Sequence, residues 1–294
     1  MILMAGILWG TIGLFVKLMA GLGASSSLTS FIRIFMGSVI LVPILIVLSI
    51  KEGRNLFKLT KAGFIQCLIL GIFSQGMFNA CYSRSINQVG MATASVLLYT
   101  APIFVCVMSM AIFKEHIGSR KAISLIINLL GCFIMATGCN LETLQLSASG
   151  IFFGVAAGFL YALITIVGKF AAGNTNPLTT TFYSFLIGWL MLGILSNPVG
   201  EIAALSSPKF WLIAFGFGLI PTVGSYFFYM TGLTHDLELS RVPVIASVEP
   251  VVATLIGVIV FSEDIGLINV IGLVLVLFSV VFMNMKGKGD SPEQ

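Results

Sequence analysis

About ten long apolar stretches run through this chain, and stretches one to five recur as stretches six to ten. A bilayer core asks about 20 apolar residues of each spanning helix. In lipid, every backbone N–H and C=O must be satisfied internally, which a helix does by itself. Five is odd, so the second copy of a duplicated five-helix unit must sit upside down relative to the first. Inverted repeats of this kind build many secondary transporters. The pattern therefore moves the question from which reaction to which solute.

Composition agrees. Of 294 residues, 58% are hydrophobic and 9% are charged. A soluble domain carries roughly 25% charged residues, and its exterior must face water. The expected spans are 2–20, 29–50, 62–84, 91–113 and 120–138, then 149–169, 178–197, 210–231, 240–261 and 266–285. Gly-, Ser- and Pro-bearing breaks connect them, as at 21–27, 174–177 and 196–198. Runs this long are about twice what a barrel strand needs. The first stretch has no basic flank or cleavage-type site and reads as a span, not a removed signal peptide.

The repeat can be checked residue by residue. Trp9 and Lys17 match Tyr161 and Lys169 at an offset of 152. Further on the offset is 148. Gly76 matches Gly224, Pro102 matches Pro250, Phe113-x-Glu115 matches Phe261-x-Glu263, and Gly118 matches Gly266. The fold class expected is an all-α membrane protein of ten transmembrane helices, as two inverted five-helix repeats over 1–145 and 146–294.

Basic residues set orientation. Lys51, Arg54, Lys58 and Lys61 share a side with Lys114, Arg120, Lys121, Lys286 and Lys288, while the connections at 21–28, 139–148 and 262–265 hold none. The bias is thin in the second half, where Lys169 and Arg241 carry it. The positive-inside rule puts both termini in the cytoplasm of a multi-pass protein of the cytoplasmic membrane. The net charge of +4 is thus a topology signal, with no nucleic-acid partner implied. Five Cys without a CxxC read as packing residues rather than a metal site or disulfide framework. His116 and His235 are separate loop residues.

Walker A, GxSxG and HExxH motifs are missing. No catalytic residue, cofactor or metal is expected. Phe215-Gly216-Phe217-Gly218 lies within a span and suits close helix contact, not nucleotide binding.

Glu249 is the sharpest single residue. It falls near the middle of span nine, where an ionisable group costs about 3 kcal/mol on insertion scales. It should face the bundle interior. It reads either as a proton carrier or cation contact, or as a protonated or hydrogen-bonded carboxyl bridging helices. Pro102 and Pro250 fall mid-span in equivalent helices and read as hinges or as fixed kinks. Trp9, Tyr82, Tyr99, Tyr161, Tyr226 and Tyr229 recur at middle depth, where each ring needs a hydrogen-bond partner. They either line a cavity or pack helices. Gln75 and Asn79 stand four apart on one helical face that continues towards Tyr82 and Ser83. That face is the preferred first-half wall of a site, with Ser225 and Tyr226 as its second-half counterpart; Asn128 adds a polar group in span five. Arg33 reads as an interfacial anchor that snorkels, or as a carboxylate contact. Lys17 and Lys169 share that ambiguity.

Leu8-Trp9-Gly10, Arg33, Tyr99-Thr100-Ala101-Pro102 with Phe113-Lys114-Glu115, and Val248-Glu249-Pro250 with Phe261-Ser262-Glu263 together resemble the drug/metabolite transporter superfamily, in its EamA-type branch. The resemblance covers essentially the whole chain. It implies ten helices, both termini inside, a central cavity lined by helices three, four, eight and nine, alternating access, and export of small metabolites such as amino acids. Two positions depart from internal symmetry: Arg33 aligns with Phe185, and Glu249 with Ala101.

The function expected is a secondary transporter exporting small amphipathic metabolites, amino acids or derivatives first. Its partners are a small-molecule substrate and the lipid bilayer, with a proton as candidate coupling ion and a monomer or homodimer as the assembly. Uptake, drug efflux, a passive channel and a membrane-embedded lipid-modifying enzyme are the rivals.

Overall fold

The computed structural model describes residues 1–140 and 147–285. The basic pair Lys286 and Lys288 and the junction of the two repeats at 145/146 lie outside the described residues. Among the described residues the bundle is built of ten apolar helices. They are α1 (Ile2–Ala20), α2 (Ser26–Glu52), α3 (61–89), α4 (91–113), α5 (Ser119–Thr137), α6 (Ala148–Ala172), α7 (Pro177–Ser196), α8 (Pro208–Thr234), α9 (Leu239–Phe261) and α10 (Leu267–Asn284), with α4 carrying the shorter apolar segment Ala101–Phe113. No strand occurs among the described residues.

The breaks work by identifiable chemistry. Side chains of Ser25, Thr60, Ser147, Asn176 and Ser207 accept backbone N–H groups at the starts of α2, α3, α6, α7 and α8. Each such cap is worth about 1 kcal/mol. Pro177 and Pro208 take first-turn positions, where no N–H is needed. A short helix, Val199–Leu205, fills the connection before α8, and Glu201 on it accepts from the Ser25 N–H and hydroxyl at 2.6 and 2.8 Å.

Two expected boundaries need correction. Helix α2 starts at Ser26, because Ser25 caps it there, three residues earlier than expected. Helix α3 continues to residue 89, and the expected connection at 85–90 is helical. Gly90, at φ 74° and ψ 165°, makes the reversal into α4 by itself, in a conformation open essentially to glycine alone. Helices α3 and α8 both pass through a π-helical stretch, at Leu70–Met77 and Leu219–Gly224, and the repeat alignment superposes the two.

Close helix approach relies on small residues, as lipid-embedded packing does. Gly150, Gly154 and Gly158 form one stripe on α6. A Cβ there would stand 2.4–2.6 Å from Val89, Leu97 and Thr100 of the α3–α4 hairpin. Gly131 of α5 and Gly272 of α10 likewise bring two backbones together. Cys67, Cys106 and Cys132 are buried in such packing, Cys81 is half-buried, and Cys139 is exposed just after α5.

The N-terminus abuts Gly232 at the end of α8, and the start of α5 bonds to Met285 through Arg120. The start of the chain and the end of α10 therefore share one end of the bundle, with the end of α4 and the start of α9.

Candidate functional site

Helices α4 and α9 are each broken mid-span, at equivalent residues. The first segment of α4 ends at Tyr99 (φ −68°, ψ 2°) and the second is Ala101–Phe113. In α9 the break is at Ser247 (φ −69°, ψ 5°) and the second segment is Val248–Phe261. Pro102 and Pro250 therefore sit in the first turn of a new segment, just after the break. The carbonyls bared there do not all face a cavity. Leu97 O accepts from the Thr100 hydroxyl at 2.6 Å, and Val244 O accepts from the Ser247 hydroxyl at 2.6 Å. Equivalent glycines press on both breaks. A Cβ on Gly6 would lie 2.6 Å from Ala246 O, and one on Gly158 would lie 2.6 Å from the Thr100 hydroxyl.

Between these breaks lies an aromatic and polar centre. Trp9 stands 4.9 Å from Tyr229, 5.6 Å from Tyr226 and 6.1 Å from Tyr161, ring centre to ring centre. Gln75 donates to the Tyr226 hydroxyl at 2.8 Å, joining the π-helical part of α3 to the α-helical turn just after the π-helical part of α8. Asn79 donates to Gln75 O at 2.6 Å and accepts from Arg33 at 3.2 Å. Tyr229 shares a 2.5 Å hydrogen bond with Thr165. Tyr82 stands aside, packed on Phe78 and bonded to Ser95 at 3.2 Å. Ser225 turns back to its own helix and contributes nothing to this wall.

Tyr99, Tyr161, Tyr229, Asn128, Ser247 and Glu249 line a cavity of about 40 Å³ at the breaks. That is room for about one to three water molecules. Glu249 lies within electrostatic reach of Tyr82, Tyr99, Tyr161 and Tyr226. Tyr99, Tyr161 and Tyr229, all singled out in the sequence, thus share one cavity with Glu249. Glu249 accepts no hydrogen bond and makes no ion pair among the described residues.

Of the two readings the sequence left open for Arg33, the structure departs from the interfacial anchor. Arg33 is 8% exposed and turned to Asn79. The earlier start of α2 places it about 4.5 Å further from the helix start than expected, at 1.5 Å per residue. Among the described residues it uses one hydrogen bond of the five its guanidinium offers. It too lies within electrostatic reach of Glu249, Tyr161 and Tyr226.

The EamA-like transporter family model matches residues 1–137 and again 148–285, one copy per half. The chain belongs to the EamA-like transporter family. An uncharacterized transporter of Archaeoglobus fulgidus is 26% identical over 95% of this chain and 93% of its own length. The uncharacterized inner membrane transporter YicL of Salmonella typhimurium is 22% identical over 98% of this chain and 95% of its own. The uncharacterized transporter YxxF of Bacillus subtilis is 26% identical over 80% of this chain and 74% of its own. A solved crystal structure shares the fold with a TM-score of 0.78 at 14% identity, covering 96% of this chain and 94% of that one. The molecule is thus a multi-pass membrane transporter of the EamA family, built from two repeated halves.

The two ends of this EamA bundle differ. The half of α9 nearest the termini, 239–248, is buried at every residue except Arg241 and Ile245. Its equivalent in α4, 91–100 at the opposite end, is buried only at Thr93 and Ala94. Polar contacts follow the same division. At the termini end, Glu115 accepts from the Leu239 and Ser240 N–H groups at 2.5 and 3.0 Å. Lys121 pairs with Glu238 at 2.5 Å, and Lys169 donates to Leu233 O and His235 O at 3.1 and 2.8 Å. At the other end, Lys17 pairs with Glu263 and lies 4.5 Å from the centre of the Phe261 ring.

Proposed function

We propose that this transporter exports small zwitterionic, amphipathic metabolites, amino acids or their derivatives first, by alternating access across the cytoplasmic membrane. The carrying observation is the pairing of Arg33 and Glu249. Both are ionisable, both sit in the bundle centre, and neither forms an ion pair among the described residues. A solute with a carboxylate for Arg33 and an ammonium for Glu249 would complete both, while Trp9, Tyr99, Tyr161 and Tyr226 would contact its apolar part. Gln75 and Asn79 would orient Arg33 and the Tyr226 hydroxyl, and Tyr82 would flank the site. An uncompensated carboxylate at mid-span costs about 3 kcal/mol. A proton or the solute's ammonium can relieve that cost, but not both together. Competition for Glu249 would then couple proton entry to solute exit. Pro102 and Pro250 would mark the hinges of the two broken helices, one in each repeat.

The basic residues concentrated at the termini end support a cytoplasmic position for both termini. The looser half of α4 would then open outward. Counterflow in liposomes tests the solute class. Vesicles preloaded with an unlabelled amino acid should accumulate its labelled form, whereas a channel would not. Absence of accumulation for every amino acid and derivative tried would reject the zwitterion reading.

A further inference from the structure

Two glutamates occupy equivalent hooks at opposite ends of the bundle. Glu115 follows Lys114, whose backbone is left-handed at φ 55°, and its N–H bonds back to Ser109 O at 3.3 Å. Glu263 follows Ser262, left-handed at φ 52°, and its N–H bonds back to Gly257 O at 3.1 Å. Every member of one hook matches the other at the offset of 148. The backbones agree, yet the carboxylates do different things. Glu115 clasps the first N–H groups of α9, at Leu239 and Ser240. Glu263 instead pairs with Lys17 of α1. The equivalent of Lys17 is Lys169, which is occupied with the carbonyls of Leu233 and His235. The equivalents of Leu239 and Ser240 are Met91 and Ala92, directly after the Gly90 reversal.

We propose that Glu115 and Glu263 are reciprocal latches of the transport cycle. At the closed end, the carboxylate holds the start of a broken helix. At the looser end, it swings across to a lysine. When access changes sides, the two exchange roles: Glu263 takes the Met91 and Ala92 N–H groups, and Glu115 pairs with Lys169. Each state then keeps one carboxylate on two backbone donors, a charge-assisted arrangement, and one in a Lys–Glu pair. The exchange is not fully symmetric. Lys121–Glu238 adds a bond at the termini end, and its aligned positions at the other end are Asn269 and Gly90, which cannot form one. The chain without solute therefore rests closed at the termini end.

The latch rests on the alternating-access reading, but its test needs no solute. Amide hydrogen exchange would be measured on the full-length protein in lipid nanodiscs, for the wild type, Glu115→Ala and Glu263→Ala. Loss of a hydrogen bond to a charged group should speed opening about tenfold. In Glu115→Ala, residues 239–246 should exchange about tenfold faster while residues 91–98 become slower. In Glu263→Ala, residues 239–246 should exchange no faster than in the wild type. The proposal is overturned if 239–246 is unchanged in Glu115→Ala, or if both segments speed up together. Should Glu115→Ala not fold, Glu115→Gln replaces it. A neutral amide oxygen on the same two N–H groups should still speed exchange at 239–246, and unchanged exchange there overturns the latch. Reciprocal exchange without counterflow of any amino acid would reject the solute class and leave the latch standing.

Discussion

Helices α4 and α9 carry the same break in different surroundings. Both lose helical geometry at aligned residues, Tyr99 and Ser247, both restart just before or at a proline turn, and both are pressed by an aligned glycine. Only α9 places a carboxyl group beside its break. Where α9 has Glu249, α4 has Ala101; where α2 has Arg33, α7 has Phe185, packed 4.8 Å from Tyr226. The comparison separates a backbone break common to both halves from ionisable side chains present in only one. In the proposed cycle, movement draws on the likeness of the halves. Recognition of a zwitterion draws on their difference.

The largest expected effect tests that separation directly. Glu249→Gln should raise the half-saturating solute concentration by about a hundredfold or more, on the scale of a buried charge losing its partner. Adding Ala101→Glu should not restore it; recovery in counterflow would show the two breaks to be interchangeable. Next comes Arg33→Gln, where loss of a hydrogen-bonded charge contact predicts a weakening of about 10- to 100-fold for an amino acid. The matching amine, which lacks the carboxylate, should compete equally well against either protein. The shared machinery predicts a different pattern. Gly6→Ala and Gly158→Ala should each cost about 1–3 kcal/mol through overpacking, read as similar drops in the thermal unfolding midpoint. A large difference between them would mean that one break alone depends on its glycine. Smallest is Asn128→Ala. Asn128 donates to Ser247 at 2.6 Å and Ser279 at 2.9 Å, while the aligned Val276 can do neither. Interhelical bonds in membranes average about 0.6 kcal/mol, so the midpoint should fall by only a few degrees, with the counterflow rate near that of the wild type.

Helix number and pairing were legible in the sequence because hydropathy and the repeat are one-dimensional signals. The placing of Tyr99, Tyr161 and Tyr229 at the depth of Glu249 was partly legible, since depth along a span can be counted from its ends. Depth failed where an end was misjudged. Placing the start of α2 at residue 29 left Arg33 within snorkelling reach, and the Ser25 cap moved it inward. Azimuth failed for Tyr82, because the π-helical stretch before it changes the angular step between Gln75 and the next turns. The breaks were sought at the prolines themselves. A proline disturbs the residues before it most, and the breaks lie there. Gly6 and Gly158 were available all along: they share the offset of Trp9 and Tyr161 and could have been found by extending that alignment three residues back.

The exposed Cys139 has a practical consequence. It follows Gly138 at the end of α5, on the far side of the bundle from the termini, and it is the one fully exposed thiol among the described residues. The native chain therefore carries its own orientation tag. A membrane-impermeant maleimide applied to intact cells reports which compartment that end faces, without any engineered cysteine.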